Sequence, residues 1–330
     1  MKIFFRRPCG MWANRARSRL GRSAVMAGKQ VDRREQGPQP RPGTYSDGHP
    51  LDEVHYLQCK LILKPDRFVS PSSFHDYAKI VREAAEKRDI EFSTRGFMDL
   101  SPRIREVVFF DTNDFSLYNH GFILRRRISY ENGFPIGEPE IVFKFRHPDL
   151  QTAAEMDVRP KIPEYRIKFK AEALPLKEKL GGYRLLYSHN VVFGLNQVPE
   201  VDRPSLADLA NLFPVLAILP SLGAKKLNLV NRTIVEEVLQ DLGALDFGKG
   251  VIAKSHATLW RQRGDHRSLI GEFSYECKFK RRDELHEKAV ERCKQFFISL
   301  QKIGGDWVSL GATKTGVVYR LKGNPPHAHE

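Results

Sequence analysis

The stretch FILRRRIS, residues 122–129, places Phe122, Leu124 and Ile128 on one face of an extended chain and Arg125 and Arg127 on the other. Successive side chains of a strand point to opposite faces, so this segment is predicted to be a strand with one apolar and one cationic face. The pattern repeats in IVFKFRH, where Ile141, Phe143 and Phe145 oppose Lys144 and Arg146. It repeats in YLQCKLILK, where Leu57, Cys59, Leu61 and Leu63 oppose Tyr56, Gln58, Lys60 and Lys64, with Ile62 the apolar exception. In EFSYECKFK, Phe273, Tyr275, Cys277 and Phe279 oppose Glu272, Ser274, Glu276, Lys278 and Lys280. YRIKFK (165–170) and KTGVVYRLK (314–322) continue the theme, with Lys168, Lys170, Lys314 and Arg320 on polar faces.

Three segments interrupt these strands with helical spacing. SSFHDYAKIVREAAEKRD (72–89) opens on capping serines, and SLADLANLFPVLAIL (205–219) is broken by Pro214. RRDELHEKAVERCKQFFISLQKIGG (281–305) ends on a Gly-Gly stop. Strand runs with occasional helices imply an α+β class with an antiparallel sheet.

A charged strand face is ordinarily a solvated one. Two features argue otherwise for the set. Arg and Lys recur two residues apart on several strands, and such crowding is unfavourable unless an anion lies between the charges. Glu272 and Glu276 share the polar face of one of these strands, where carboxylates beside a basic cluster suit a divalent cation bridging to phosphate oxygens. The strand aromatics fall on the face opposite the charges, which disfavours nucleic acid, since bases stack on aromatics placed among the cations.

The chain of 330 residues carries a formal net charge of +14, with 54 Lys or Arg against 40 Asp or Glu. More than half of that excess lies in residues 1–50, which read as a disordered basic N-terminal extension followed by a Pro/Gly-rich linker, QGPQPRPGTYSDGHP. The Arg-rich start also has the composition of an organellar transit peptide, and the disordered extension is the reading carried forward. Residues 51–330 read as one domain. No run of about 18 apolar residues exists for a transmembrane helix. The cysteines, Cys9, Cys59, Cys277 and Cys293, form no CxxC pair, so a reducing, cytoplasmic setting is expected.

The run VVFFDTNDFSLYNHGFILRRRISY (107–130) resembles the most recognisable segment of CYTH domains, the triphosphate tunnel metalloenzymes, through Asp111, Thr112, Asp114, Leu117, Gly121, Leu124, Arg125 and Arg127. IVFKFRHPD is similar to the next strand of that family, VNRTIVEEV (230–238) to the strand with its later arginine, GEFSYECKFKRRDEL to its late acidic strand, and TKTGVVYR to its closing lysine-bearing strand. The resemblance covers residues 54–322. It implies an antiparallel β-barrel of about eight strands with flanking helices and a charged interior. It further implies phosphate binding by Lys60, Arg125, Arg127, Lys144, Arg146, Arg232 and Lys314, and Mg²⁺ or Mn²⁺ held by Glu272, Glu276 and Glu236, with Glu272 and Glu276 catalytic. The implied activity is metal-dependent hydrolysis of inorganic tripolyphosphate or of a nucleoside or thiamine triphosphate. The alternatives are a non-catalytic phosphate- or polyphosphate-binding module and an adenylate cyclase. One departure stands out: where the family's first strand carries two glutamates before its lysine, this chain has Tyr56 and Gln58 before Lys60. An amide oxygen can coordinate a cation but brings no charge to it.

Overall fold

The computed structural model of the chain describes residues 38–198, 204–223, 225–281, 284–326 and 330. The transit-peptide and extension readings for residues 1–37 lie outside them. The strands are β1 (Tyr56–Leu63), β2 (Glu91–Ser93), β3 (Arg103–Asp111), β4 (Phe122–Glu131), β5 (Phe134–His147) and β6 (Arg166–Pro175). They continue with β7 (Tyr183–Gly194), β8 (Asn228–Leu229), β9 (Val235–Asp246), β10 (Ile252–Gln262) and β11 (Ser268–Lys278). The helices are α1 (Ser72–Glu86), α2 (Ser116–Asn119), α3 (Leu150–Glu155), α4 (Leu206–Leu212), α5 (Glu287–Ile303) and α6 (Lys314–Arg320). No helix among the described residues is long and apolar enough to cross a membrane.

The sheet runs in the order β9-β10-β11-β1-β6-β7-β5-β4-β3, and pairing of β3 with β9 closes it into a barrel of nine strands, with β2 and β8 added at its margins. Closure removes the exposed edges of the sheet. The barrel is mixed, not wholly antiparallel, because β1 and β6 run parallel, Tyr56 opposite Lys170 and Gln58 opposite Glu172. Four intervening strands separate β1 from β6 in sequence, so no hairpin forces them to run opposite ways.

The apolar strand faces point outward and are roofed by helices. Leu57, Cys59, Leu61, Phe273, Tyr275 and Cys277 pack under α1 and α5. Leu124, Ile141, Phe143 and Phe145 pack under α4 and the short helix Pro214–Ile218. The 205–219 segment thus divides at Pro214, where the chain has no N–H to continue an α-helix.

The polar faces are left to line the interior. One end of that interior is filled by Ile62, Val107, Phe109, Ile123, Val235, Trp260 and Ile270 together with Tyr118 of α2 and Val318 and Tyr319 of α6. Residues 314–320, expected as a closing strand, form α6 instead. Thr315, Val318 and Tyr319 are buried at i, i+3 and i+4, a spacing that serves a helix, and the Thr313 hydroxyl caps it by accepting from Gly316 N–H at 3.0 Å.

Residues 38–50, assigned by composition to the linker, make specific contacts with the barrel domain. Gln39 exchanges two hydrogen bonds with the Val54 backbone, at 2.7 and 2.8 Å. The Tyr45 hydroxyl donates to Ala154 O at 3.0 Å, and the Arg159 guanidinium covers its ring at 4.5 Å.

The Asp111–Asp114 turn is a structural device. Asp111 Oδ1 accepts from Thr112 and Leu117 N–H at 2.7 and 2.9 Å, and its Oδ2 accepts from Tyr118 N–H at 2.9 Å. Thr112 Oγ1 accepts from Ser116 N–H at 2.8 Å and donates to Asp114 at 2.6 Å. These bonds hold α2 and so aim β4, with its arginines, into the barrel. Asp111→Ala leaves three buried N–H groups unpaired and is expected to cost about 3 kcal/mol of stability in urea unfolding.

Candidate anion-binding tunnel

All nine barrel strands and the start of α6 contribute side chains to one interior cavity of about 360 Å³. Ten Lys or Arg and four Glu line it, a formal excess of six positive charges. Of the residues nominated from sequence, Lys60, Arg125, Arg127, Lys144, Arg146, Lys314, Glu272 and Glu276 come together here. Two do not. Arg232 ends the turn Val230–Arg232 and faces a separate crevice beside Asn228 and Lys322. Its neighbour Asn231, also in the left-handed region, ties that turn to the Val318 and Tyr319 carbonyls of α6. Glu236 lies outside the barrel paired with Arg261, while the next residue, Glu237, faces the cavity. Alternation along β9 permits only one of the two to point inward.

Each glutamate in the cavity is held by cations. Glu172, 2% exposed, meets Lys60 at 2.9 Å, Lys144 at 3.2 Å and Arg146 at 3.7 Å, and accepts from the Ser188 hydroxyl at 2.9 Å. Glu237 accepts from Arg105 Nε at 2.7 Å and from Trp260 Nε1 at 2.9 Å. Lys314, whose ammonium lies 4.8 Å from the Trp260 ring centroid, meets Glu272 at 2.9 Å and Glu237 at 3.4 Å. Glu276 pairs with Lys170.

The guanidinium groups are served less well. Nε of Arg125, Nε of Arg127, and Nε and Nη1 of Arg146 are buried without a hydrogen-bond acceptor. Among the described residues no carboxylate reaches ion-pair distance of Arg125.

The electrostatics follow from burial and crowding. Burial first, then the neighbouring Arg127, pulls the Arg125 guanidinium down to about 9. Burial and Arg146 hold the Lys144 ammonium well below its usual value, and burial lowers Lys60 against the pull of Glu172. Burial would raise the Glu172 carboxyl, but Lys144, Lys60 and Arg146 together hold it well below the usual range. Lys314 and Arg105 do the same for Glu237 against its own burial. His256, hydrogen-bonded to Ser274 at 2.9 Å, is lowered by burial and by Lys314. Glu172 and Glu237 are therefore held ionised, and burial acts against Lys60, Lys144 and Arg125.

The donor set does not fit a resident divalent metal. Among the described residues no three His, Cys, Asp or Glu side chains converge on a common point. Glu272 and Glu276 stand four residues apart on β11, roughly 13 Å along a strand. Their partners across the sheet are Ile62 and Gln58 on β1 and Thr258 and Lys254 on β10. The neutral Gln58 is thus placed beside Glu276, where a carboxylate could have shared a cation. The Tyr56 ring, at the other position where an acid was expected, has the Lys170 and Lys278 ammonium groups 5.1 and 5.7 Å from its centroid.

Several cavity residues escaped the sequence reading. Arg103 and Arg105 show the same two-residue spacing in RIREVVFF and were open to discovery by it. Glu172 follows Lys170 in an apolar-looking AEALP, and the choice of Glu237 over Glu236 depends on register alone.

No family model matches the sequence, and no curated protein gives a significant match. Some solved structures are similar. A Hippeastrum protein, described as a proposed adenylyl cyclase that reveals a dominant triphosphatase activity, is 14% identical with a TM-score of 0.37, over 84% of this chain and 100% of that one. A Pyrococcus horikoshii protein is 15% identical with a TM-score of 0.33, over 80% and 98% of the two chains. A Bacillus halodurans protein, described as a proposed adenylate cyclase, is 10% identical with a TM-score of 0.35, over 79% and 95%. Likeness this distant adds nothing to the geometry above.

Arg125 is half-buried, with its Nε fully buried and no carboxylate at ion-pair distance among the described residues, so replacing it with an apolar side chain of similar length relieves desolvation. Arg125→Met is expected to raise stability by roughly 1–2 kcal/mol, about 2–6 °C in Tm, in phosphate-free buffer. Thermal unfolding checks this, and a lower Tm contradicts it.

Proposed function

We propose that the barrel interior is a clamp for a polyanion, the triphosphate group of a small molecule or a short polyphosphate. The observation that carries this is the set of buried guanidinium N–H groups on Arg125, Arg127 and Arg146 that find no acceptor in a cavity with six excess positive charges. Buried donors of this kind are costly unless a ligand completes them. The planar forks of arginine match phosphate oxygens, and a triphosphate carries roughly four to five negative charges near neutrality, comparable to the excess. The sequence resemblance of residues 107–146 to triphosphate tunnel proteins supports the same reading. Nucleic acid fits less well, because Phe143, Phe145, Phe273 and Tyr275 are buried on the outer face under helices and Trp260, which does lie among the cations, is itself buried.

On this reading Arg125, Arg127 and Arg146 grip phosphate oxygens bidentately, while Lys60, Lys144 and Lys314 add point charges. Binding needs no resident metal. Calorimetry with tripolyphosphate in EDTA is expected to show micromolar binding, weakened at least tenfold in Arg125→Met. Absence of binding by tripolyphosphate, ATP and thiamine triphosphate alike overturns the proposal.

Hydrolysis is a second reading, favoured by the position of Glu272 and Glu276 on the same wall as the cations. Their partners Lys314 and Lys170 both line the cavity, so a polyanion that draws on these two ammonium groups frees both carboxylates. Phosphate release that requires added Mg²⁺ or Mn²⁺, and that Glu276→Gln abolishes while tripolyphosphate binding persists, would establish it. Binding without release leaves the protein a non-catalytic module.

Proton linkage gives an independent check. Lys144 and Lys60 have depressed ammonium pKa values in the empty cavity, and a bound polyanion restores them toward the usual value. Binding therefore takes up protons at pH values above the depressed pKa of these ammonium groups and below the usual lysine value, and affinity falls as pH rises through that window. The calorimetric enthalpy is expected to vary with the ionisation enthalpy of the buffer in the direction of uptake, and a buffer-independent enthalpy contradicts it.

A further inference from the structure

Glu172 stands apart from the other acids of the tunnel. It is nearly inaccessible, and one of its oxygens, Oε1, collects Lys60 at 2.9 Å, Lys144 at 3.2 Å and the Ser188 hydroxyl at 2.9 Å. Its other oxygen, Oε2, has no hydrogen-bond partner and faces Arg146 across 3.7 Å. Arg146 in turn leaves Nε and Nη1 unpaired. One carboxylate oxygen thus sits among two ammonium groups and a hydroxyl as a phosphate oxygen would, while the arginine beside it is only half served.

We propose that Glu172 is a built-in counter-anion that occupies one anion subsite of the tunnel and limits how tightly a polyanion binds. The proposal rests on the anion-clamp reading of the cavity and adds a residue that works against the ligand. In the empty protein Glu172 keeps Lys60, Lys144 and Arg146 from repelling one another. In the loaded protein it competes with the bound phosphate for the same three cations, and its charge opposes the ligand's. Such a residue trades affinity for a tunnel that stays folded when empty and releases its occupant.

The test compares the full chain with Glu172→Gln and Glu172→Asp, using tripolyphosphate as probe in EDTA. Glu172→Gln is expected to lower Tm in anion-free buffer, to recover it on addition of tripolyphosphate, and to bind tripolyphosphate about tenfold more tightly than the wild type. Glu172→Asp keeps the charge but draws it back by one methylene, and is expected to fold and to bind with intermediate affinity. If both variants bind no more tightly than the wild type, or if the Tm loss of Glu172→Gln persists with the probe present, Glu172 is an ordinary buried structural acid and the proposal is overturned. Failure of the wild type and both variants alike to bind tripolyphosphate removes the clamp reading itself, whereas wild-type binding left unchanged by the substitutions overturns the counter-anion role alone.

Discussion

The structure depends on one constraint: the inward faces of nine strands, seven of them carrying charged side chains, are closed around a single small space. Once β3 pairs with β9, the inward side chains of every strand share that space, and nine of them are Lys or Arg, joined by Lys314 of α6. Like charges that would be harmless on a solvated sheet become neighbours in a poorly hydrated interior, where their repulsion is several times larger than in water. Much of the remaining architecture answers that. Four glutamates from β6, β9 and β11 are distributed among the cations, an apolar plug fills one end, and the outward apolar faces are covered by helices. The result inverts the usual one-sided sheet, with its hydrophobic core outside the barrel and its polar face within.

The neutralisation is incomplete, and the residues left over are informative. Lys60, Lys144, Lys170 and Lys314 find carboxylates, whereas Arg125 and Arg146 retain buried N–H groups with no acceptor. Buried donors of this kind cost stability unless a partner completes them, and here they line a cavity in which positive charge is in excess. The acids are committed to the cations and are not gathered with one another, so among the described residues no three of them converge as a preformed metal centre would require. The replacement of two expected glutamates by Tyr56 and Gln58 acts in the same direction, because it removes negative charge from the first strand.

The alternation of apolar and charged residues made much of this legible in the sequence. In 122–129, 141–147 and 272–280 the two-residue period identifies both the strand and its charged face, so Arg125, Arg127, Lys144, Arg146, Glu272 and Glu276 are assigned to charged faces from pattern, and only the family resemblance implies that these faces share an interior. Misplacements occurred where pattern is ambiguous. KTGVVYR suits a strand by alternation and a helix by the spacing of Thr315, Val318 and Tyr319, and burial against the plug selects the helix. Arg232 was matched by order along the chain, yet it sits in a left-handed turn before β9 begins.

What the sequence determined by itself was local: which segments are extended, which of their faces is charged, and that the charge is predominantly cationic. These properties follow from side-chain chemistry at fixed spacing and need no knowledge of partners. Tertiary structure alone decided that the sheet closes, that β1 lies parallel to β6, that Glu237 and not Glu236 faces inward, and that Glu172 collects three cations from two other strands. Those outcomes depend on register between segments far apart in the chain, where a shift of one residue turns every side chain to the other face. Local pattern carries no information about that shift, so the counter-charges of the tunnel became visible only once the barrel had closed.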